Sequence, residues 1–175
     1  MKIKHFIGLV LIFSLVVSVG VIKTAKSSQT AGVGATVTVY NLSVDMDTDG
    51  VIAYGNMDNN TSKTTLDLSD AQIAGNNGTP TEDFNIMGQD SANWELGDTA
   101  DSNQYIHKFC NDTVDTCDSP PTSYTAFNED GYTTMASDVT ASSSITFQLE
   151  ITTPNPSTYF TQQTVDVTVQ AVLAT

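Results

Sequence analysis

The chain has 175 residues and a mean hydropathy of −0.10, and its 20 acidic residues against 6 Lys and no Arg set a formal net charge of −14. No basic cluster is present to neutralise phosphates, which excludes nucleic acid as a partner, and an anionic membrane surface for the globular part. Strong negative charge favours solubility and draws cations instead.

Residues 1–5, MKIKH, carry two lysines and no acid, and residues 6–22, FIGLVLIFSLVVSVGVI, carry no charge. A short basic head before an apolar run is the pattern of a secretory signal. The run also lies at the lower edge of what crosses a bilayer as a helix. Two outcomes stand open: cleavage, after Gly20 or after Ala35, or retention as an N-terminal anchor helix with Lys23 and Lys26 beyond it. In both the remainder is expected outside the cytoplasm, extracellular or on the cell surface, and it meets the membrane only through residues 6–22 if these are kept. Residues 23–35, KTAKSSQTAGVGA, read as a flexible spacer. Residues 36–175, about 140 in number, suit one domain with a full core. All 20 acidic residues fall there, offset only by Lys63 and Lys108.

The domain opens on ATVTVYNLSVDM, which predicts a first strand whose phase changes. Val37 and Val39 lie on one face and Tyr40, Leu42, Val44 and Met46 on the other, so a bulge near Val39–Tyr40 or a strand shared by two sheets is expected. Short strands are then predicted at GVIAYG, TTLDLSDAQIAG, EDFNIMG, ANWEL, NQYIHKFC and TSYTAF, each bounded by turn residues. The clearest signal is SITFQLEIT, where Ile145, Phe147, Leu149 and Ile151 alternate with Thr146, Gln148, Glu150 and Thr152, the period of a half-buried strand. TVDVTVQAVL repeats the pattern with Val165, Val167, Val169, Ala171 and Leu173, and Pro154 and Pro156 force a loop between the two. These strands either pair directly or cross between sheets. Eight or nine short strands at this spacing predict an all-β, antiparallel sandwich, with Phe84, Trp94, Tyr105 and Phe147 at its centre.

GVIAYG, the stretch NNGTPTEDFNIMG to ANWELG, NQYIHKF and the closing TVDVTVQAVL together resemble short exported bacterial proteins with immunoglobulin-like sandwiches of unassigned function. The resemblance spans nearly all of residues 36–174, and it implies an immunoglobulin-like fold without implying an activity. WEL, at Trp94–Leu96, is similar to the first motif of the cell-wall-binding WxL domain, but a second such motif is missing, since the chain ends TVQAVLAT.

Three features compete for a functional role. In DMDTDG, Asp45, Asp47 and Asp49 occupy positions 1, 3 and 5 of a calcium-loop pattern and Gly50 its turn position. Asn56 stands where a bidentate Glu is expected, and the flanks read as strands. The competing reading is an Asp-Gly hairpin turn. Cys110 and Cys117 enclose NDTVDT, and outside the cytoplasm such a pair is expected to form a disulfide. Closing so small a loop contributes roughly 2–3 kcal/mol in the chain-entropy treatment. His107, the only histidine beyond residue 5, has no identifiable nucleophile or acid beside it and no G-x-S-x-G motif in the chain, so it reads as structural or merely exposed rather than catalytic. Tyr40, Tyr54, Trp94, Tyr105, Tyr124 and Tyr132 offer material for a sugar-stacking platform or, more simply, for packing. Glycosylation sequons occur at Asn41, Asn59, Asn60, Asn77 and Asn111, while Pro156 blocks Asn155.

The expectation from these residues is a non-enzymatic exported protein, structural or adhesive, without a cofactor unless calcium occupies DMDTDG. The alternatives are a calcium- or carbohydrate-binding module, and a filament subunit that lends TVTVYNLSV to a neighbour as a strand. The partners left open are a second copy of the chain and a cell-surface glycan.

Overall fold

A computed structural model describes residues 31–47, 49–118, 123–128 and 131–175. The signal or anchor segment at residues 1–22 and most of the spacer lie outside the described residues. The chain divides into Met1–Val37 and Thr38–Thr175. In the first unit the described residues, 31–37, carry no regular structure and are exposed.

The second unit is an all-β sandwich of two sheets. Its strands, in chain order, are β1 (Val44–Met46), β2 (Ser62–Thr64), β3 (Gln72–Asn76), β4 (Glu82–Gly88), β5 (Glu95–Leu96), β6 (Gln104–Asn111), β7 (Thr125–Ala126), β8 (Thr133–Val139), β9 (Ser144–Thr152) and β10 (Val167–Leu173). One helical turn, α1 (Thr65–Leu68), sits between β2 and β3. The larger sheet has the order β1-β3-β9-β6-β5, with β2 also on β9 and β7 also on β6, and the smaller has the order β10-β4-β8. All pairs are antiparallel except β5 with β6. The strongly alternating β9 and β10 therefore do not pair; the Pro-containing loop carries the chain from one sheet to the other.

β9 is the hub. Along one edge it receives β3 at residues 144–147 and β2 at residues 150–152. Between them the chain makes α1, started by Thr64, whose hydroxyl accepts from the Asp67 amide while the Asp67 carboxylate accepts from the Thr64 amide. This is a capping box closed by Asp. These hydrogen bonds hold the Asp67 carboxyl below its ordinary range. Thr65 fills the gap in the ladder: its hydroxyl accepts from Leu149 N at 2.9 Å and donates to Gln148 Oε1 at 2.6 Å. Alternation on β9 sends Ile145, Phe147, Leu149 and Ile151 inward to meet Phe84 and Ile86 of β4 and Tyr105 and Phe109 of β6. Phe84, Tyr105 and Phe147 are buried as their pattern predicts.

Four expectations are corrected. The first strand is three residues long, not twelve: residues 31–43 contain no strand, and Val37, Val39, Tyr40 and Leu42 are exposed at 87%, 82%, 57% and 45%. No bulge forms at Val39–Tyr40. Alternation makes a segment able to be a strand, but a strand also needs a neighbour, and within this fold residues 36–40 have none. GVIAYG is likewise not a strand; Ile52, Tyr54 and Met57 instead pack irregularly against the core. Trp94 is only partly buried at the core's margin. Finally, TTMASDV forms β8, which its polar content hides. Its period breaks at a bulge between its pairings with Glu82 and Phe84, where Asp138 takes φ +57° and its amide donates to Asp83 Oδ1.

Sheet edges need partners, and β8 has them. Asn76 Nδ2 donates to Val139 O at 2.8 Å and Asn111 Nδ2 to Met135 O at 3.0 Å, both asparagines reaching from the larger sheet and both buried. Asn76 also donates to Pro80 O and accepts from Gly78 N. Asn76→Ala is expected to cost roughly 1–3 kcal/mol for the orphaned buried groups, whereas Asn59→Ala, at an exposed site, leaves the urea midpoint unchanged. Equal midpoints for the two variants would remove the capping role.

Candidate functional site

DMDTDG begins in β1 and runs out of it. Asp45 pairs across from Gly75, and a Cβ on that glycine would lie 2.9 Å from Asp45 Oδ1. Asp47 carries the ladder one step further, its amide donating to Ile73 O, and its carboxylate lies over the same glycine. Asp49 turns the other way: its Oδ1 accepts from Val51 N at 3.0 Å, an Asx turn, and Gly50 takes φ +66°. The turn is present, yet it joins no two paired strands. Among the described residues no three His, Cys, Asp or Glu side chains converge into a set able to hold a metal ion. Asp45 and Asp47 lie exposed on one strand face, and Asp49 is held in its own turn.

His107 lies in β6 between Tyr105 and Phe109, on the inward face, and is fully buried. Phe127 meets it edge to face with ring centroids 5.0 Å apart, Tyr105 at 6.1 Å and Tyr54 at 6.3 Å. The Tyr54 hydroxyl stands 3.4 Å from Nε2, and Nδ1 has no partner. Burial pushes the imidazole down to about 3, so the ring is neutral at ordinary pH. Burial also raises the Tyr54 and Tyr105 phenols. The Tyr105 hydroxyl donates to Gln89 O. Its neighbours among the described residues are the rings of Tyr54, Tyr105 and Phe127, which make it an aromatic-packed core residue.

The opposite face of β6 and β9 holds a polar layer that the sequence does not single out. Lys108 and Glu150 face one another in register and form an ion pair at 2.7 Å, with Glu150 nearly buried and Lys108 30% exposed. Beside them Gln148 Nε2 donates to Asp112 Oδ2 at 3.0 Å. The Tyr124 hydroxyl is buried without a partner, and burial followed by the nearby Glu150 charge pushes it up to about 12. Cys110 and Cys117 form the expected disulfide and are both buried. The bridge ties the loop after β6 to this layer, since Cys110 lies across from Gln148.

The aromatic residues are dispersed. Trp94 Nε1 donates to Ser157 Oγ at 3.1 Å and its ring lies 6.2 Å from Tyr105. Leu96, the last residue of WEL, is buried. Of the sequons, Asn41, Asn59, Asn60 and Asn77 are exposed, whereas Asn111 is buried in its β8 contact. No model of a known protein family matches the chain, and no curated protein matches it.

Two measurements check this account. A histidine kept neutral by burial binds a proton in the unfolded chain below about 6.5 but in the folded chain only near 3. Its contribution to stability is therefore present above pH 6.5 and lost as pH falls through that window, with a slope of up to roughly 1.4 kcal/mol per pH unit. His107→Phe is expected to flatten the urea-derived stability profile between pH 6 and 4 relative to the parent; parallel profiles would refute the neutral core histidine. Calcium titrated into chelator-treated protein is expected to give no binding heat and no rise in melting temperature, and a stoichiometric heat abolished by Asp47→Asn would refute the turn reading.

Proposed function

We propose that this protein is an exported, non-enzymatic sandwich module that acts in a structural or adhesive role at the cell surface or in the medium. The observation that carries the export reading is the Cys110–Cys117 bridge, buried on the sheet, because such bonds persist in oxidising compartments. The basic head and apolar run at residues 1–22 support it, acting as a cleaved signal or a retained anchor helix. The structural reading is supported by what the buried ionisable groups do. His107 packs among rings, Glu150 neutralises Lys108, and Glu82 Oε1 accepts from the Ser43 amide at 2.9 Å. Each holds one part of the fold to another.

Two packed, largely antiparallel layers support an architecture of the immunoglobulin-like kind for this module. Its small sheet places β4 between β10 and β8, whereas a constant-type immunoglobulin sheet has a late strand at its centre in the order C-F-G. The relation is thus one of architecture rather than of strand order.

The intact mass of the protein recovered from its native cell tests the reading. The expected result is recovery from the envelope or medium with two hydrogens lost to the disulfide. Recovery from the cytosol with both cysteines as free thiols would overturn it.

A further inference from the structure

The strands that could accept a further chain differ sharply in their edges. β1, β5 and β7 are two or three residues long. β8 is long but bulged at Asp138, and Asn76 and Asn111 occupy its carbonyls. These are the devices by which sheets avoid pairing edge to edge. β10 has none of them. It pairs with β4 in unbroken register over Val167–Leu173 and has no strand on its other side among the described residues. Its sequence, VTVQAVL, contains no charge, proline or glycine. In a chain with 20 acidic residues, this is a seven-residue edge that itself carries no like charge against a second backbone.

A matching segment stands unused at the other end of the domain. Residues 36–42, TVTVYNL, are also uncharged, and 36–39 alternate in the strand manner, yet they form no strand, and Val37 and Val39 are exposed at 87% and 82%. The segment joins the body at Asn41, where Thr79 N donates to Asn41 O at 2.9 Å, and just beyond its end Asn77 N donates to Ser43 O at 2.9 Å. Donor and acceptor agree in length and in lack of charge, and Val37 and Val39 match the spacing of Val167 and Val169.

We propose that residues 36–42 of one copy add as a strand to the free edge of β10 in a second copy. Val37 and Val39 then continue the half-buried stripe of Val167, Val169 and Ala171 on the inner face of the small sheet. Backbone hydrogen bonds supply affinity and the alternating side chains supply register. Donor and acceptor are different surfaces of one molecule, so the contact is heterologous and propagates head to tail into an open chain or a ring. This deepens the structural reading above and rests on it. Its test uses purified protein, so failure of export and failure of assembly are separate results.

The purified full chain is compared with V37D/V39D, both kept in mild detergent so that residues 6–22 do not drive association. The altered side chains are exposed, so the variant is expected to keep the parent's melting temperature. Sedimentation velocity over a concentration series is expected to show the parent moving from monomer to a ladder of multiples and the variant remaining monomeric. A synthetic peptide of residues 35–43 is expected to bind the variant, slowing amide exchange across Val167–Leu173 and leaving Thr133–Val139 unchanged. The proposal is overturned by a parent that stays monomeric at every concentration, by assembly that survives V37D/V39D, or by peptide protection that falls on β8.

Discussion

Two packed sheets satisfy each other's apolar faces but not their own edges, and each edge is a row of backbone N–H and C=O groups that needs a partner or water. That constraint organises this molecule. Inside the larger sheet it is met by β9, which binds β6 along one side and shares the other between β2 and β3, with the Thr65 hydroxyl standing in for the missing ladder position. On the smaller sheet it is met at β8 by two asparagine amides and a bulge. At β10 it is left open among the described residues.

The same constraint explains where the ionisable groups went. A sheet whose outer face is covered must neutralise what it covers, and Glu150 lies buried only because Lys108 faces it in register across the β6–β9 ladder. Glu82 is buried beside the Ser43 amide, which fixes the residues leading into β1. His107 is accommodated in the opposite way, by giving up its charge among Tyr54, Tyr105 and Phe127. Cys110–Cys117 closes the loop that leaves β6 at the border of this layer.

Much of this was legible in residue order, and its limits are physical. Period-two alternation places β9 and β10 and their inward side chains, except Leu173, which is 42% exposed, because burial on one face leaves a mark at every second residue. The same parity puts His107 with Tyr105 and Phe109 and puts Lys108 opposite them, so the core histidine was readable. The partner of Lys108 was not, since it depends on which strand lies alongside. Residues 36–43 show the converse: they alternate on either side of a phase change at Val39–Tyr40, but alternation reports capacity and not pairing. β8 was hidden because its bulge and its polar residues erase the period, and Asn76 and Asn111 look like turn residues until the strand they cap is known. In DMDTDG the spacing of Asp45, Asp47 and Asp49 fits a cation loop, and only the ladder with β3, which keeps Asp45 and Asp47 on one face, separates them from Asp49.

The asymmetry between the two edges of the small sheet is the claim on which the rest turns. Residue-resolved amide exchange on the dilute, monomeric protein tests it most directly. The account expects protection throughout β9, and in β10 an alternation of slow amides facing β4 with fast amides on the open side, while residues 36–40 exchange as free chain. Uniform slow exchange along Val167–Leu173, or protection of residues 36–40 in the monomer, would contradict it.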